Sequence, residues 1–200
     1  MKKFEGCLIL SLVLLGAFPV NAYCNTRWDE FLEHPNKDAL VTLENTITAS
    51  AQRCSPNVAP VQKHRTQLFE LIRGGNESAF RAALLVSECW DGGEAEDFDR
   101  SAGIFFETKP HAFLQIVKEK VIHNSRLRHM LTMLPLDTVD NIDRKISVVQ
   151  NRIAILKGLG DGSLEEIIKR GLSVLEKEKE NLDKIKVAMD KNETRVRHIP

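Results

Sequence analysis

Past residue 22 the chain has no apolar run near the roughly 20 residues that a membrane-spanning helix needs. It has no Cys-x-x-Cys pair either, which excludes thioredoxin-type redox chemistry and the usual paired-cysteine zinc site. An excess of one charge is also missing, since 28 basic side chains face 28 acidic ones. The first 22 residues hold Lys2, Lys3 and Glu5, so the remainder carries about one net negative charge. No bulk field draws such a chain to nucleic acid or to an anionic membrane.

Motifs that carry catalysis are equally scarce. There is no Gly-x-Ser-x-Gly elbow, no His-Glu-x-x-His pair, no phosphate-binding glycine loop and no Cys-Gly-x-Cys segment. The acidic stretch from Asp91 to Asp99 puts Gly93 and Ala95 where a calcium loop starting at Asp91 needs oxygen ligands. It reads instead as a helix start, with carboxylates at the positive end of the dipole. The basic stretch from Lys118 to His129 lacks interleaved aromatics for stacking on bases and reads as solvated surface. Its His123 and His129 are six apart, off the i, i+4 spacing of a helical metal pair. Gly74-Gly75 reads as a helix end before the cap Asn76. Trp28, Trp90, Phe98, Phe105 and Phe113 read as core or rim anchors. These residues assign no catalytic group, no metal and no cofactor. An enzyme, hydrolytic or metal-assisted, would need a pocket made only in the fold, gathering two of Glu94, Asp97, His111 and His123.

Residues 1–22 carry the clearest positive signal. Lys2-Lys3, the apolar run from Cys7 to Leu15, and Val20-Asn21-Ala22 have the layout of an export signal cleaved before Tyr23. The expected product is a periplasmic or secreted protein. Cys24, Cys54 and Cys89 then remain, an odd number, so an oxidising compartment implies one disulfide and one free thiol. The expected bridge is Cys54 to Cys89, with Cys24 free. A helix that starts near Val61 and turns at Gly74-Gly75 brings Cys89 back level with Val61, which one short loop joins to Cys54. Cys24, just before a helix of about seven residues, would lie roughly 18 Å from the level of Cys54, against about 7 Å allowed between bridged Cα atoms.

The remaining chain has the three- and four-residue apolar spacing of helices, so the fold class is all-α. Three segments match one another. Phe31 to Leu40, Leu71 to Phe80 and Ile104 to Phe113 each read as a helix end, a tight turn, a cap or proline, then alanine and a large apolar residue. The offsets are 40 and 33 residues, and the difference equals the loop from Cys54 to Pro60. With these residues the stretch from about Arg27 to Ile122 resembles an α-solenoid of the HEAT or armadillo type. That resemblance implies stacked helix-turn-helix units presenting a surface to another macromolecule.

From Val139 the pattern narrows to a seam of Val139, Ile142, Ile146, Val149, Ile153 and Leu156. A glycine-rich break at residues 158–162 follows, then a helix with Ile168, Leu175, Leu182, Ile185 and Met189 on one face, interrupted by Gly171 and Glu178. This reads as a long antiparallel, coiled-coil-like hairpin. The expected organisation is a signal over 1–22, a repeat-like domain over 23–135, the hairpin over 136–192 and a frayed tail over 193–200. The candidate interaction seam is Val149, Ile153, Leu156, Ile168, Leu175 and Leu182. The expected function is an exported protein-binding module such as an immunity-type inhibitor, an assembly factor or a chaperone. Its partner is another protein or a second copy through the hairpin, and a structural oligomer is the other non-enzymatic alternative.

Overall fold

The computed structural model describes residues 20–50, 54–55 and 58–196, with side chains described between 26 and 191. Within these limits the chain is all-helical. The helices are α1 (Val20–Glu33), α2 (Lys37–Thr48), α3 (Gln62–Arg73), α4 (Glu77–Val86), α5 (Gly92–Thr108), α6 (Pro110–Glu119), α7 (Asn124–Thr132), α8 (Ile142–Gly158) and α9 (Glu165–Val196).

The three matching segments are three matching turns. Asn36 caps α2 by accepting the N–H groups of Asp38 and Ala39, and Asn76 caps α4 by accepting that of Ala79. Pro110 opens α6 at a position where its missing N–H costs nothing. The turns also touch. Asn76 Nδ2 donates to the carbonyl of Pro35 at 3.1 Å, and a Cβ on Gly75 would meet the Lys109 side chain at 3.4 Å. Helices α1, α3, α5 and α7 pack in succession, as do α2, α4 and α6. The two rows share a core in which Phe80 meets Phe105 and Phe113 at ring-centre distances of 4.8 and 5.5 Å. On α4 the buried face is mostly small, with Ala79, Ala82 and Ala83 around Phe80, which lets neighbouring helices approach closely.

The Cys54–Cys89 disulfide is present, with Cα atoms 4.9 Å apart. It ties the α2–α3 loop to the short 3-10 turn after α4. The same loop carries Val58, which is buried and accepts the Trp28 indole N–H at 2.9 Å. The Cys24 side chain, like residues 1–19 of the expected signal, lies outside the described residues. One premise needs correction: Cys24 sits inside a 14-residue helix rather than before one of about seven. Nothing between Val20 and Glu33 breaks a helix, so α1 continues through the expected cleavage junction.

The hairpin also differs in its limits. Its first helix starts at Ile142, because Pro135 and the 3-10 turn Leu136–Thr138 precede it and Asn141 caps it. Val139 therefore leaves the seam and is exposed. The second helix runs to Val196, into the segment expected to fray. Gly171 does not interrupt the packing. A Cβ there would lie 2.9 Å from Leu156 and 3.4 Å from Leu131, so glycine permits the close approach of α8 and α7 to α9. One continuous core runs from Trp28 to Leu182.

Candidate functional site

The six seam residues Val149, Ile153, Leu156, Ile168, Leu175 and Leu182 are all buried in the chain's own core. As a partner surface the seam is corrected: α8 covers α9 on one side, and α7 packs on α9 as well. The stripe reaches solvent only past Leu182, where Ile185 and Met189 are 49% and 47% exposed. Lys186 pairs with Asp143 in the first turn of α8, so α8 ends level with that point.

The polar candidates are dispersed. Glu94 pairs with Arg65, and Asp97 pairs with Arg100. Asp91 is the N-cap of α5, as the dipole argument expects. His111 Nε2 lies 2.8 Å from Asp161 Oδ2 and fastens the hairpin loop to α6. Hydrogen bonds from Ser163 and then His111 hold the Asp161 carboxyl below its ordinary value. His123 sits apart, at the N-cap of α7. Among the described residues no three His, Cys, Asp or Glu side chains are placed to hold a metal.

What the fold does bring together lies around the α6–α7 turn. A groove with α4 as its floor and α2 and α6 as its walls is lined by Val41, Glu44, Ser78, Arg81, Leu85 and Lys120. Ser78, Arg81 and Leu85 share a face of α4 by their spacing of three and four. A second compartment of about 550 Å³ adjoins it and opens onto Val121, His123 and Arg126. The Glu44–Lys120 ion pair, at 3.3 Å, stands where the two meet. On the other side of Val121 a third groove runs between α6 and the start of α9, past Lys118, Ser163 and Arg170. Val121 is thus the ridge between two grooves.

Its backbone is unusual. Val121 has φ +51°, the only positive value at a non-glycine among the described residues, and it is 80% exposed. The turn closes through Val121 N–H to Lys118 O and Ile122 N–H to Val117 O. The same two bonds end α3, from Gly75 to Ile72 and from Asn76 to Leu71, and there glycine takes the left-handed position at φ +84°. Ile122 packs against the core and fixes the path of the chain. The outward valine is not needed for that path, and a β-branched side chain in this conformation is strained.

Beneath this surface lies Asp99 of α5, 3% exposed, with Arg126 Nη2 at 3.3 Å from its Oδ1. Burial pushes the Asp99 carboxyl up to about 6, against the pull of Arg126 and His129 and with a small push from Glu96. A carboxyl held more weakly acidic in the folded state than in the unfolded one binds extra protons when folded. Its stability contribution is therefore complete near pH 4 and is lost as pH rises through 6, by roughly 3 kcal/mol. Urea unfolding should show this fall in the wild type and a flatter profile in Asp99→Asn. Equal slopes in the two proteins would contradict it.

Sequence reasoning missed Val121 and Asp99. Asp99 stood in a run of carboxylates, and its phase on α5, next to Phe98 and Ala102, was the available signal. Known protein families, characterised proteins and solved structures provide no match to this chain.

Proposed function

We propose that this chain is an exported, periplasmic protein-binding module, of the kind that an immunity-type inhibitor, assembly factor or chaperone represents, and that it meets its partner at the α6–α7 turn. The carrying observation is Val121, an exposed apolar β-branched residue in a left-handed conformation where the corresponding turn after α3 uses glycine. Such a residue costs the fold strain and leaves apolar surface in water, which a docked partner would cover. The flanking grooves supply mixed polar and apolar walls of the sort found at interface rims. Export is supported by the layout of residues 1–22 and by the disulfide, which suits an oxidising compartment.

The test is Val121→Gly. It should raise stability by about 1 kcal/mol in urea unfolding, since glycine takes φ above zero without strain. The same variant, immobilised in periplasmic extract, should lose a protein that the wild type retains. A stability gain with unchanged retention would contradict the reading, as would a loss of stability.

A further inference from the structure

Asp99 and Arg126 join the interior of the stack to the surface assigned above to a partner. Arg126 belongs to the first turn of α7 and lines the same groove as Val121 and His123. Its guanidinium lies 4.9 Å from the centre of the Phe98 ring. Asp99 Oδ1 and Arg126 Nε and Nη2 are all buried without a hydrogen-bond partner. Charge and the aromatic face are therefore what keep this arginine inward. A carboxylate buried at this depth needs a counter-charge, whereas a neutral carboxyl does not.

We propose that Asp99 and Arg126 form a proton-operated latch: ionised Asp99 holds Arg126 and the first turn of α7 inward, and protonated Asp99 releases them, reshaping the α6–α7 surface. What the movement regulates rests on the function proposed above; the movement itself does not depend on any partner. The charges acting on Asp99 are Arg126 and His129 of α7 and Glu96 of its own helix. Arginines on the other helices packed nearby are engaged elsewhere. Arg65 and Arg73 of α3 meet Glu94 and Glu70, and Arg152 of α8 meets Glu107. Burial places the Asp99 transition within mildly acidic surroundings, which an exported protein meets more readily than a cytosolic one. His129 also acts on Asp99, so a variant of its own separates the two.

Amide hydrogen exchange of the full chain, corrected for intrinsic rates, tests the latch over residues 119–128. Wild-type protection there should fall about tenfold between pH 7.5 and pH 5, and Asp99→Asn should show the lower protection at both. His129→Gln should keep the wild-type response. The latch is overturned by equal wild-type protection at both pH values, by wild-type protection in Asp99→Asn at pH 7.5, or by loss of the response in His129→Gln. An exchange shift without any effect of Val121→Gly on retention would leave the latch standing and remove only the partner surface.

Discussion

Replacing Arg152 with leucine should destabilise the protein by about 3–5 kcal/mol, because it leaves the carbonyls of Leu131 and Met133 without their donor and Glu107 without its counter-charge. Arg152 lies on α8 and is 0% exposed. Its Nε donates to Glu107 Oε1 at 2.7 Å, and its Nη1 donates to the carbonyls of Leu131 and Met133 at 2.7 and 3.0 Å. Those carbonyls lie at the C-terminal end of α7, where a cation also suits the helix dipole. Burial pushes the guanidinium down from its ordinary value and Glu107 pushes it back, so the pair holds the charge in place. Gly103 makes room for it, since a Cβ there would come within 2.6 Å of Nη2. One side chain thus fastens the hairpin to α5 and α7 together. Glu107→Gln should also be strongly destabilising, because it leaves the fully buried Arg152 charge without its counter-charge, and the double variant should cost less than the sum of the two. Urea unfolding checks this, and a cost under about 1 kcal/mol for Arg152→Leu would show that the hairpin is held by its apolar seam alone.

Removing the disulfide by Cys54→Ser together with Cys89→Ser should cost about 4 kcal/mol. The bridge spans 35 residues, and loop closure of that size removes this much chain entropy from the unfolded state. The closed segment contains α3 and α4, the middle pair of the stack, and the bridge anchors the loop in which Val58 accepts the Trp28 N–H. Thermal unfolding should show the double variant melting well below the wild type, and dithiothreitol should lower the wild type to the same point. Matching transitions with and without the bridge would contradict the prediction.

Much of the architecture was written in local residue types. Asn36, Asn76 and Pro110 are helix starters at matching positions, and the turns they build lie against one another in the fold. Val149, Leu156 and Leu175 carry the seam period that the hairpin uses. Sequence period cannot say which part of a stripe is covered. Leu182 and Met189 are seven apart and equally apolar, yet only the first is buried, because α8 starts at Ile142 and the second lies past it. Arg152 stands beside Ile153 in a charged helix and looks solvated until α5 and α7 are packed over it. Val121 gives no warning at all, since valine does not encode a left-handed turn; the turn appears only in the fold, where the neighbouring Ile122 packs against the core.

The measurement that bears most directly on the proposed partner surface is site-specific photo-crosslinking in cells that express the protein. A photoreactive residue at position 121 would be compared with one at position 177, where Lys177 lies exposed on α9. Position 121 should give one discrete adduct with another protein, and position 177 should not. No adduct at 121, or the same adducts from both positions, would contradict the account.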